Sequence, residues 1–205
     1  MYHKTQDMKT STVFLSGLSL VICLLNCQQR TQTEPGEKSN NDELKSEQDL
    51  AGKGEYLVRT IGCDHCHTPK KHTDAGPVPD MDRWLMGYPS EDPLPEINKE
   101  EIVPGKWVLF NGDLTASVGP WGVSFSGNLT PHQTGLGNWT FSQFKIAMTQ
   151  GRYKGLNNTR MLLPPMPWQS YAEMKDEDLK AIFEYLKTIK PVENIVPNHI
   201  PPNDL

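Results

Sequence analysis

Two thiols and an imidazole stand close together in Cys63-Asp64-His65-Cys66-His67. In a C-x-x-C-H run the spacing lets both sulfurs add to the vinyl groups of a single haem, while the trailing histidine reaches the iron from one face. The same residues could form a redox-active dithiol or half of a structural zinc site. Zinc needs four closed ligands, and the other cysteines, Cys23 and Cys27, lie near the N-terminus. The set would have to recruit His65, His67 or His72 at unsuitable spacings. A redox dithiol has no use for the trailing histidine. The expected chemistry is therefore one covalent haem c, held by Cys63 and Cys66, with His67 on the iron.

A second iron ligand has to come from elsewhere in the chain. The candidates are Met81, Met86, Met148, Met161, Met166, Met174, His72, His132 and His199. Met166 stands in Pro164-Pro165-Met166-Pro167, where prolines fix the backbone and present one side chain at low entropy cost. Its other reading is a core thioether packed on Trp168. Ligation by His67 and Met166 would saturate the iron and suit an electron carrier. An open site would instead suit a five-coordinate haem enzyme or a gas sensor. The chain has no G-x-S-x-G, H-E-x-x-H or Gly-rich phosphate loop, so no other catalytic constellation competes.

Three helices are expected to position these residues. A short helical pattern (Leu50, Gly54, Leu57, Val58, Ile61) starts near Asp49 and runs into the cysteine motif, although its glycines weaken it as a free helix. Thr140 and Gln143 form a capping-box pattern for a helix over 140–150 that Gly151 can end. The clearest helix covers 176–190: Leu179, Ile182, Phe183, Leu186 and Ile189 make one face, acids fill the first turn, and Pro191 stops it. Between the first two lies an insertion, about 68–137, rich in Pro and Gly and carrying Trp84, Trp107 and Trp121. It is expected to wrap the domain as ordered irregular structure that buries its tryptophans, with Lys106–Phe110 as its one strand. Lys70, Lys71 and His72 could form a basic rim that steers an acidic partner.

The N-terminal segment reads as targeting. Residues 1–26 pair basic Lys4 and Lys9 with an apolar run from Val13 to Leu25, the pattern of an export signal. Leu24-Leu25-Asn26-Cys27 resembles a lipobox, which makes Cys27 the expected lipidation site. Residues 27–48 are polar enough to act as a flexible tether, and 193–205 read as a polar, Pro-rich tail. A formal net charge of -5 gives no basic surplus for nucleic acid.

From Gly52 to Val192 the chain resembles the single-haem class I cytochrome c domains of cytochrome subunits of periplasmic alcohol/gluconate-type dehydrogenases, and related lipoproteins. Three segments carry the likeness: Gly54-Glu55-Tyr56-Leu57-Val58-Arg59 leading into the haem motif; Asn128-Leu129-Thr130-Pro131 through Thr134-Gly135-Leu136-Gly137-Asn138-Trp139-Thr140; and Leu163-Pro164-Pro165-Met166-Pro167-Trp168 followed by the 176–186 helix. The resemblance implies a mainly α class I cytochrome c domain over 49–192, about three to four helices around one haem, with a long irregular insertion. It implies Met166 as the distal ligand, and an electron carrier rather than an enzyme. It also implies redox protein partners such as a dehydrogenase or terminal oxidase. The location expected is the periplasm or cell envelope of a bacterium, on a membrane through a lipid anchor. A proline carbonyl after the haem motif, at Gly76-Pro77, is the implied acceptor of the His67 N–H. Dehydrogenase subunits of this kind usually carry several haem domains, whereas this sequence has one C-x-x-C-H motif.

Overall fold

The computed structural model describes residues 40–205, with side chains from Ser46 onward. The export signal over 1–26, Cys27 and most of the 27–48 tether lie outside the described residues. The first helix, α1 (Asn40–Ile61), starts before Asp49. Its first turns carry acids and good helix formers, and the side chains at 46–49 are exposed. After it come α2 (Cys63–His67), α3 (Phe141–Gln150), α4 (Trp168–Tyr171) and α5 (Asp176–Thr188). None of the described helices is long and apolar enough to cross a membrane.

The main core forms where α1 crosses α5. Val58 of α1 meets Leu179, Ile182, Phe183 and Leu186 of α5, and Phe144 and Met148 of α3 close one side. The crossing is tight because Gly54 lacks a side chain: a Cβ there would lie 2.0 Å from the Ala181 carbonyl oxygen. Gly52, by contrast, faces open space. The weakness that glycine brings to an isolated helix is thus the condition for packing this one. The capping box forms as its sequence pattern requires, with Thr140 accepting from the Gln143 N–H, and Gly151 ends α3 at φ 63°. α5 stops at Thr188 rather than Lys190: Ile189 is already extended, at φ -71° and ψ 164°, ahead of Pro191, which disfavours a helical Lys190.

The insertion is more regular than its composition suggests. It holds an antiparallel hairpin, β1 (Lys70–Thr73) with β2 (Gly76–Pro79), and a three-stranded antiparallel sheet of β3 (Leu109–Phe110), β4 (Ala116–Gly119) and β5 (Gly122–Phe125), in that order. Only the last two residues of the expected strand 106–110 pair. The hairpins escape a reading by alternation because β1 is polar throughout, β2 contains two prolines, and both ends of the β4–β5 turn are glycine. Trp84 is buried, but Trp107 is 64% exposed, against the expectation that the insertion's tryptophans are buried. The expected tail is also part of the fold: Asn194 is buried and Ile200 bridges to Val123 of β5.

Asp80 anchors the hairpin, accepting from Lys71 Nζ at 2.8 Å and Arg83 Nε at 2.7 Å. Burial works against its charge, but these donors, with the Asp82 N–H, outweigh it and lower the carboxyl from 3.8 to about 2. The folded value lies below the unfolded one, so this stabilisation is complete above about pH 4 and fades as pH falls towards 2. Asp80→Asn should remove on the order of 2 kcal/mol at pH 7 and flatten the stability profile in that acid window, measured by urea unfolding.

Candidate functional site

Gly62, at φ 83°, turns the chain between α1 and α2, so the three chemical residues leave the main helix on a rigid corner. Cys63 packs against the main core, and Cys66 is partly buried. Burial pushes the Cys63 thiol up to about 11, with the neighbouring Asp64 carboxylate adding to the rise. Burial also raises Cys66. Both are therefore thiols at neutral pH, unlike the low-pKa thiolate of a redox-active pair. Asp64 itself is buried, and its Oδ1 meets no hydrogen-bond partner. Among the described residues no group of three or more His, Cys, Asp or Glu side chains stands where it could hold a metal ion, so a closed zinc set is not assembled there.

His67 is held by one strong contact, Nδ1 to the Gly127 carbonyl oxygen at 2.7 Å. A carbonyl can only accept, so Nδ1 carries the proton and, in the neutral ring, Nε2 carries the lone pair. Burial lowers the pKa of the ring, only partly opposed by this bond, which keeps it neutral and able to bind a metal. The acceptor is not at Gly76-Pro77: Pro77 pairs with His72 in the β1–β2 hairpin. Nothing local in Ser126-Gly127-Asn128 marks its carbonyl, which is chosen by how the insertion returns.

That return is built by close backbone packing. The Gly87 N–H donates to the His67 carbonyl oxygen at 2.8 Å, and Tyr88 N–H donates to Ser126 O at 3.0 Å. Gly87 has φ 79°, and a Cβ on it would lie 2.3 Å from Ser126 O. His67, Gly87 and Gly127 thus close a small ring of contacts. Asn194 secures it from outside, donating through Nδ2 to Met86 O at 2.7 Å and Tyr88 O at 2.8 Å. Asn128 is spent on structure: its Nδ2 donates to Val192 O and its Oδ1 accepts from the Thr130 N–H.

Met166 lies partly buried against the same core as Cys63. Met174 also borders that core, Met86 and Met148 are buried, and Met81 and Met161 are exposed. The Trp168 ring stands against Gly151, where a Cβ would come within 2.4 Å of it. Tyr171 of α4 carries no sequence signal that singles it out; burial, with the Cys63 and Cys66 sulfurs contributing, pushes its phenol up to about 12. His72 is exposed, His132 Nδ1 pairs with Thr134 Oγ1, and His199 Nε2 pairs with Trp121 O. Of the expected rim at 70–72, Lys71 is paired with Asp80 and Asp82, and Lys70 turns back to donate to His65 O.

No family model matches the chain. Curated relatives do. Over 137 residues it is 30% identical to the gluconate 2-dehydrogenase cytochrome c subunit of Pantoea cypripedii, covering 66% of this chain and 22% of that one. Over 77 residues it is 40% identical to the fructose dehydrogenase cytochrome subunit of Gluconobacter japonicus, covering 36% and 15%. Its homologues are cytochrome c subunits of dehydrogenases. The cytochrome c subunit of the quinone-type alcohol dehydrogenase of Gluconacetobacter polyoxogenes is 37% identical over 75 residues, 36% of this chain and 15% of that one. The chain thus spans under a quarter of the length of these relatives.

The Gly87 contact tests how His67 is positioned. Gly87→Ala should cost about 2–4 kcal/mol of unfolding free energy, from strain at positive φ and collision with Ser126. Gly127→Ala should be close to neutral, since its Cβ meets open space and its carbonyl stays. Urea denaturation of both variants, with the His67 ring-proton resonance followed by NMR, checks the pair.

Proposed function

We propose that this protein is a haem c electron carrier with one covalent haem, attached through Cys63 and Cys66, and iron ligated by His67 and Met166. The observation that carries the reading is the His67–Gly127 hydrogen bond. It commits Nδ1 and leaves Nε2 as the only ring nitrogen for a metal, beside two protonated thiols of the kind that add across a vinyl group. The residues present fit the group. Haem c supplies a one-electron iron couple.

The chain's own part is to hold and insulate. The Gly127 carbonyl raises the basicity of His67 and fixes its ring plane. The α1–α5 core keeps Cys63 still, and the Pro-rich loop presents Met166 with little entropy left to lose. With His67 and Met166 both holding it, a haem iron would have no position left for a substrate, which fits a carrier rather than an enzyme. The relatives' names support a dehydrogenase as the electron source, and a terminal oxidase is a natural acceptor. In the holoprotein, Met166→Ala should abolish the weak far-red sulfur-to-iron band and let the reduced form bind carbon monoxide readily, with haem still covalently attached. A wild type that lacks the band and binds carbon monoxide readily would instead be a five-coordinate haem protein.

The carrier is further proposed to be exported to the periplasm or cell envelope and lipidated on Cys27, with the residues between Cys27 and α1 linking the lipid to the domain. The apolar run before Leu24-Leu25-Asn26-Cys27 supports this. Cys27→Ser should move the protein from the membrane fraction to the soluble one; an unchanged distribution argues against the anchor.

A further inference from the structure

The insertion reaches the other proposed ligand as well as His67. On β5, Ser124 Oγ lies 2.6 Å from the Pro164 carbonyl oxygen, in the loop that carries Met166. That carbonyl can only accept, so the single Ser124 proton goes to it. The lone pairs of Ser124 then face Ser117 Oγ at 2.9 Å on β4 and the Trp121 Nε1–H at 3.4 Å. The hydroxyl is held from its own sheet while it holds the loop. Within the loop the Met166 N–H donates to Leu163 O at 3.2 Å, and Pro167 O accepts from the Ser170 N–H at 3.0 Å.

Along the chain, Ser124 is only three residues from Gly127, whose carbonyl fixes His67. An extended segment of that length spans about 10 Å. We propose that the segment from Ser124 to Gly127 is a brace between His67 and the loop that carries Met166, and that Ser124 is a positioning residue for Met166. This rests on the His67 and Met166 reading and gives the insertion a role within it. The brace sits on a hairpin, β4–β5, which is itself tied to the C-terminal segment by the Val123–Ile200 pair. Movement of the Met166 loop away from the core therefore has to break a hydrogen bond to a strand that the His67 side holds in place.

The test uses the full-length holoprotein as wild type, Met166→Ala, Ser124→Ala, Ser124→Thr and Ser124→Val. The readouts are the far-red band and the rate of carbon monoxide binding to the reduced form, which reports how often Met166 leaves the iron. Ser124→Ala and Ser124→Val should bind carbon monoxide about fivefold faster than wild type, the factor that loss of one ordinary hydrogen bond produces. Ser124→Thr should restore the wild-type rate. If Ser124→Ala fails to fold, the Thr and Val pair, matched in volume and both suited to a strand, carries the comparison. Equal rates in all the Ser124 proteins, or a fast rate that Thr does not rescue, overturn the brace while leaving the ligands as proposed. A wild type that binds carbon monoxide as fast as Met166→Ala overturns the ligand reading and the brace with it.

Discussion

The hydrogen bond from His67 Nδ1 to the Gly127 carbonyl is the contact around which the site is organised. It ties a residue of the cysteine motif to one sixty positions later, and it decides the tautomer of the ring. It survives only because two backbones approach without side chains between them. Gly87 lies under Ser126 and Gly127, and its own N–H returns to the His67 carbonyl. Each strut of this arrangement fixes another, so the ring cannot rotate without disturbing the insertion.

The two halves of the domain contribute different kinds of rigidity. The α1–α5 crossing is apolar and close-packed, and it fixes the cysteine motif through Gly54 and Val58. The insertion lends Trp84, Leu85 and Leu136 to that core, has a smaller apolar cluster of its own in Ile102, Val118 and Val123, and is held besides by hydrogen bonds from Asn194, Thr115 and Ser124. Directional bonds of this kind set angles and distances better than burial does, which suits a segment whose work is to aim carbonyl groups. The C-terminal residues complete it: Asn194 reaches Met86 and Tyr88, so a stretch that reads as a polar tail is a strap across the insertion.

Electrostatics around the motif point the same way. Burial keeps Cys63 and Cys66 protonated and His67 neutral, so all three donors keep their neutral forms at physiological pH. The charges nearby are spent on structure. Lys71 and Arg83 pair with buried Asp80, and Lys70 turns to the His65 carbonyl.

Local chemistry was written in the chain, because it depends on neighbours in sequence. C-x-x-C-H spacing, the Thr140–Gln143 box, the Gly151 stop and the apolar face of α5 each follow from a few adjacent residues, and the described structure has all of them. The insertion was not legible in this way. Its strands lack alternation, its Trp107 is exposed, and the partner of His67 is a backbone carbonyl, a group that every residue possesses and no sequence pattern distinguishes. Which carbonyl meets the ring is decided by how Gly87 and Gly127 pack, and which hydroxyl meets Pro164 by where β5 pairs. Those are long-range choices, made by steric fit between segments far apart in the chain, and tertiary structure alone supplies them.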